Sequence, residues 1–151
     1  MSDTMSDDPD TFARRVADAV LAEDKAAQML GIELIEVRQG YAQVAMTVRD
    51  DMLNSQAMAH GAMVFAIADS AFSFAGNTEN KKTLAQSCAI TYLTPANPNE
   101  RLTATAERRS QQGRSGVYDV TVTGENGRVV AEFRGNSRTV EGETVVGLGE
   151  G

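Results

Sequence analysis

The sequence predicts an α+β domain in which one long, very apolar helix is wrapped by a curved antiparallel sheet of about six strands. The stretch from His60 to Asn77, HGAMVFAIADSAFSFAGN, is rich in helix formers and apolar nearly all round, so it has to be buried. Extended segments flank it, two before and four after, several of them alternating apolar and polar residues. Finally, 151 residues allow one core of ordinary size and not two.

The elements follow in order. Residues 1–9 and 141–151 (EGETVVGLGEG) lack a sustained apolar period and read as disordered tails, which leaves a single domain over 10–140. Phe12, Val16, Val20, Leu21, Met29 and Leu30 recur near helical spacing, so Thr11 to Leu30 reads as one surface helix, with Asp10 capping its start and Gly31 its end. Ile32 to Val37 and Tyr41 to Val48 form a hairpin around Gln39-Gly40. After the loop DDMLNSQAM comes the apolar helix, then the polar NTENKK, then strands over roughly 83–93, 101–110, 116–123 and 128–138. PANPNE, with Pro95 and Pro98, separates the first two of these, and GENG at 124–127 turns between the last two. The four strands read as an antiparallel meander. Tyr118, Val120 and Val122, and again Val129, Ala131 and Phe133, alternate with polar neighbours, which fits a sheet with one wet face.

Composition narrows the chemistry. Fourteen basic against 21 acidic side chains give a formal charge of −7, which repels a polyphosphate backbone and disfavours nucleic acid. Much of the acidic excess lies near the two ends, so a small anionic ligand could still bind the middle. One cysteine, Cys88, and one histidine are too few for a disulfide or a typical structural zinc site, so no metal or cofactor is expected. No run of about 18 apolar residues is present and the first residues are acidic, so a cytoplasmic protein without a membrane partner is expected.

Asp69 is the anomaly in the central helix. An unpaired carboxylate among packed side chains costs several kcal/mol unless it is hydrogen-bonded or protonated. It could cap a shorter helix starting at Ser70; alternatively it is a general base or nucleophile that works through partial desolvation. The other end of the segment favours chemistry. A helix starting near Gly61 presents free N–H groups and its positive dipole end to developing negative charge, and Gly61 has no side chain to block a carbonyl oxygen. Gly61 and Asp69 are eight residues apart, roughly 12 Å along one helix, too far to act on one carbonyl. Two helices antiparallel across a two-fold axis would bring one Gly61 to the other Asp69, so the expected site is composite, at a homodimer interface.

The strings LNSQAMAHGAMVFAIADSAF, ITYLTP, RLTATA, QGRSGVYDVTV and VVAEFRGNS, in that order between Gly31 and Arg138, resemble the hotdog-fold acyl-CoA thioesterases, specifically the phenylacetate-degradation (phenylacetyl-CoA) family. The resemblance implies a hotdog fold, a dimer or dimer of dimers, and hydrolysis of an aryl-acetyl-CoA such as phenylacetyl- or hydroxyphenylacetyl-CoA, with CoA present only as part of the substrate. It implies that Asp69 is the helix carboxylate and Gly61 the N–H that polarises the thioester carbonyl. Asn54 matches the polar residue holding the thioester or the lytic water, His60 the histidine of the His-Gly motif, and Ser73, one turn after Asp69, a hydroxyl that orients water in related hydroxybenzoyl-CoA thioesterases. Where many relatives read His-Gly-Gly this chain has Ala62, which keeps its own N–H and implies an adjusted substrate pocket.

Competing readings remain for several residues. His60 near a helix start suits a supporting role, and Asn54 could simply make a loop turn. Ser87 and Cys88 have no histidine partner and suit packing. Among the cations, Arg114 of QGRSG and then Arg109 are the expected contacts to CoA phosphates. A hydratase or dehydratase would need a histidine with the acid, and Ser70 to Gly76 contains none. A non-catalytic acyl-CoA sensor is the other alternative.

Overall fold

The computed structural model describes residues 7–148, a single antiparallel sheet with one helix laid in its concave face. The chain runs α1 (Pro9–Glu23), α2 (Lys25–Met29), β1 (Glu33–Arg38), β2 (Tyr41–Thr47), α3 (Gly61–Gly76), β3 (Lys81–Tyr92), β4 (Arg101–Gln112), β5 (Ser115–Thr123) and β6 (Val129–Glu143). The predicted α+β class and central helix are therefore observed.

The expected first helix is two. Asp24 takes an extended conformation, ending α1 and accepting from Ala27 N–H to start α2. Its short side chain competes for backbone N–H groups, which is why aspartate interrupts a helix that apolar periodicity alone would continue. The cap of α1 is Asp8, with Pro9 in the first turn, rather than Asp10. Gly31, at φ +71°, ends α2 as its position suggests.

At the other end β6 outruns the domain limit expected at 140. Glu143 pairs with Lys81, and the Asn80 side chain accepts from Val145 N–H at 2.8 Å. Residues 1–6 and 149–151 of the two expected tails lie outside the described residues.

The sheet order is β1-β2-β4-β5-β6-β3, with every neighbouring pair antiparallel. Only β4 to β6 form the expected meander; β3 pairs with β6 and not with β4. Three joins carry left-handed glycines for tight hairpins, Gly40, Gly113 and Gly127, whereas the join from β3 to β4 contains Pro95 and Pro98 and no such glycine. A stiff connection of this kind carries the chain across strand positions instead of turning it back. It is fastened by Glu100, whose carboxylate accepts from Arg128 at 2.8 Å and from the N–H groups of Asn97 and Glu125.

The core lies between α3 and the sheet, with Ile67, Ala68, Ala71 and Phe72 against Val44, Met46, Leu102, Val120 and Val122. Phe72 stacks between Tyr118 and Phe133, with ring centroids 5.4 and 5.8 Å away. Gly135 makes that possible, since a Cβ there would lie 2.7 Å from the Phe72 ring.

The helix is not buried all round, contrary to expectation. Ala62, Phe65, Ala66, Asp69 and Ser73, spaced three or four apart along most of its length, form a stripe that is exposed or half-buried. Beside that stripe runs β3, an edge strand of 12 residues whose Leu84, Tyr92 and adjoining Leu93 are half-exposed.

Candidate active site

The site is built on α3 from its first turn. His60 is the N-cap: its Nδ1 accepts from Ala62 N–H at 3.0 Å, which places the ring proton on Nε2. Ala62 N–H is thereby taken up by the cap, and Ala62 is exposed on the open stripe. Gly61 N–H has no acceptor among the described residues, and it stands at the positive end of a 16-residue helix.

Asn54 makes the loop turn its position allowed and also faces a cavity. Its Oδ1 accepts from Gln56 N–H at 2.9 Å and Met58 N–H at 3.2 Å, shaping the loop in which Ala57 has φ +60°. That use of the oxygen fixes the amide's orientation and leaves Nδ2 as a donor. Asn54 lines a cavity of about 320 Å³ together with Gly61, Val64, Tyr92 and Pro95.

Tyr92 was not singled out from sequence. Its hydroxyl donates to the Gly61 carbonyl at 3.0 Å, and a Cβ on Gly61 would lie 3.3 Å from its ring. The string ITYLTP contained it, but only the pairing geometry shows that the end of β3 reaches the start of α3.

Two turns along α3, Asp69 lines a second cavity, of about 210 Å³, with Phe72, Ser73, Thr83, Leu84 and Ser137. Asp69 is half-buried, and no cation or hydrogen-bond donor among the described residues pairs with it. Burial raises its carboxyl above the ordinary aspartate range. The Cys88 thiol is pushed up as well, first by burial and then by the charge of Asp69. Ser73 is exposed on the same stripe one turn later. The structure thus groups Asp69 with Ser73 in one cavity and Gly61 with Asn54 in another at the start of the same helix, while His60 caps that helix outside both linings.

The two arginines part company. Arg114, at the β4–β5 turn, lines a third cavity of about 250 Å³ with Glu79, Lys81, Arg108 and Tyr118; Gly76 and Thr83 border both this cavity and that of Asp69. Arg109 lies on the outer face of the sheet, 3.3 Å from Asp119, which Arg134 also grips at 2.6 and 2.9 Å. Among the described residues no cluster of histidine, cysteine and acidic side chains could hold a metal, and no helix is long and apolar enough to cross a membrane.

One long helix laid in the concave face of a curled six-stranded antiparallel sheet is a hotdog fold. The chain belongs to the thioesterase superfamily, whose family model matches residues 56–131. It is 39% identical to the acyl-coenzyme A thioesterase PaaI of Escherichia coli over 87% of this chain and 93% of that protein. The structure of the E. coli PaaI protein from the phenylacetic acid degradation operon superposes with a TM-score of 0.89 at 37% identity, covering 90% of this chain and 99% of that one. A phenylacetic acid degradation protein PaaI from Thermus thermophilus gives 0.75 at 35% identity, over 78% and all of the two chains.

Proposed function

We propose that this thioesterase hydrolyses an acyl-CoA thioester, with an aryl-acetyl group as the acyl moiety, and that each site is shared between two copies of the chain. The carrying observation is the placement of Gly61 N–H and Asp69 in different cavities along the open stripe of α3. Neither half can act on the other within one chain.

The edge strand supplies a way to join them. β3 runs antiparallel to α3, with Tyr92 beside Gly61 and Thr83 beside Gly76. A second copy added along this edge, about a two-fold near Cys88, sets Leu84 of one strand opposite Tyr92 of the other. The Asp69 cavity of one copy then adjoins the Gly61 cavity of its mate, and the exposed stripe and the unpaired edge are covered together.

In that arrangement Asp69 accepts a proton from water as its oxygen bonds to the thioester carbon. The carbonyl oxygen gains negative charge while hydrogen-bonded to Gly61 N–H, with Asn54 Nδ2 as a second donor. Collapse of the adduct breaks the C–S bond; the sulfur leaves with the proton and the free acid remains. Direct attack by the Asp69 carboxylate, giving an anhydride that water then opens, uses the same residues. Ser73 orients the water, His60 holds the helix start, and Arg114 with Lys81 faces the CoA phosphates. The reaction calls on side chains, backbone and water, with CoA entering only in the substrate.

The aryl-acetyl assignment draws on the operon of the E. coli relative and on Phe72 and Leu84 in the wall beside Asp69. Thiol release from a panel of aryl and straight-chain acyl-CoAs tests it. Fastest turnover on aryl-acetyl esters is expected; a flat profile, or preference for long alkyl chains, refutes the acyl assignment. Binding with no thiol release from any ester would favour the sensor instead.

A further inference from the structure

Gly76 is the last residue of α3, and its backbone is right-handed helical, a conformation open to any residue. A Cβ there would meet Thr83 Cγ2 at 3.6 Å and the Tyr118 ring carbon Cζ and hydroxyl at 3.9 and 4.0 Å, all ordinary contacts. Glycine is the poorest helix former after proline, so alanine would favour the helix and gain packing. Neither conformation nor crowding calls for glycine at this place.

The missing methyl leaves space on a border. Gly76 lies one turn beyond Ser73, continuing the open stripe of α3, and is half-buried. Gly76 and Thr83 are the two residues that line both the cavity of Asp69 and that of Arg114. A methyl on Gly76, touching Thr83, would stand between the two. The second cavity is cationic: Lys81, Arg108 and Arg114 line it against a single acid, Glu79, which Arg108 holds. Neither Lys81 nor Arg114 makes an ion pair among the described residues. A ligand that spans both cavities therefore ends in an anion on the Arg114 side and crosses the border as a slim uncharged chain.

We infer that Gly76 is the gap through which the pantetheine arm of CoA passes, joining a thioester at Asp69 to phosphates at Lys81 and Arg114. The inference rests on the acyl-CoA hydrolase reading above and adds to it the residue that admits the arm. Gly76 is seven residues from Asp69, roughly 10 Å along the helix, so a side chain there obstructs the arm without touching the reacting carbon.

The test compares phenylacetyl-CoA with phenylacetyl-N-acetylcysteamine, the same thioester without most of the arm and all of the phosphates, on the full-length protein. Wild type, Gly76→Ala and Gly76→Leu are measured. The readout is the ratio of kcat/KM for the CoA ester to that for the truncated ester. This ratio is expected to fall roughly tenfold in Gly76→Ala and roughly a hundredfold in Gly76→Leu, through KM rather than kcat. A ratio kept in both variants overturns the proposal; if both rates have fallen together, the gap takes the acyl group instead. Circular dichroism and thermal unfolding identify a variant that has lost its fold, and the other substitution then carries the comparison. Calorimetry with free CoA runs in parallel: its dissociation constant should weaken by the same factors, and equal constants in wild type and Gly76→Ala overturn the role of Gly76. If wild type releases thiol from neither ester, the hydrolase reading fails instead, and the CoA constants alone decide the role of Gly76.

Discussion

At the scale of single residues, Asp69 is set apart by what it lacks: among the described residues no cation pairs with it, and burial disfavours its charge. Asp69→Asn keeps the shape and removes the charge, so we expect turnover to fall by roughly two to four orders of magnitude while thermal stability at neutral pH rises. Unchanged turnover in that variant would refute the assignment. The folded carboxyl titrates above its ordinary value of 3.8, so kcat/KM falls with falling pH through a midpoint above that value, and a pH–rate profile checks it. Asn54 lends itself to a separation of roles. In Asn54→Asp an oxygen still accepts from Gln56 and Met58 N–H, so the loop is kept, but the donor into the cavity is gone. We expect an intact fold and a roughly 10²-fold loss in kcat, the order found for one oxyanion donor; a variant with wild-type kcat would leave Asn54 only its turn. At Gly61, a methyl must push against the Tyr92 ring at 3.3 Å, so Gly61→Ala displaces either the tyrosine or the helix start.

At the scale of elements, the chemistry depends on α3 being capped at a fixed place and on β3 lying beside it. The helix span is legible in the sequence, because His60-Gly61 precedes a run of good helix formers; the cap by His60 Nδ1 is not, since histidine is not among the usual N-cap residues. The partner of β3 is not. Strand period says that a segment is extended but not which strand lies beside it, and the β3–β4 join reads as mere punctuation until its span across the sheet is seen. The same limit hid Tyr92, which belongs to a strand and touches the helix start only through how the strands pair. That join also makes a stability prediction. Arg128, with two backbone N–H groups, holds Glu100 well below its ordinary 4.5, at about 2. A depressed carboxyl stabilises the fold above its unfolded value and loses that contribution as pH falls from about 4.5 toward 2. Denaturant unfolding across this window should show wild type losing stability steeply. Glu100→Gln should start a few kcal/mol lower at neutral pH and follow a shallower curve.

At the scale of the whole molecule, the sequence yields the fold class, and helix rise alone shows that Gly61 and Asp69 cannot meet within one chain. What it could not supply is the open stripe: a segment with so few polar residues reads as buried on every side, when one face is exposed or half-buried. The shared site makes a sharp expectation for mixed assemblies. Asp69→Asn and Gly61→Val chains, each inactive alone, form hybrids in which one site carries both substitutions and the other neither. Random remixing should restore about a quarter of wild-type activity. No recovery, with hybrids demonstrated by native mass spectrometry, would place both groups in one chain.

The long rim formed by β3 has a further consequence for handling the protein. An isolated chain offers the outward-facing half of the backbone groups of a 12-residue edge strand, few of its side chains charged, to any other extended peptide. Solutions dilute enough to part the copies should therefore grow turbid or lose material to surfaces, and a substitution that weakens self-association should show first as poor solubility during expression.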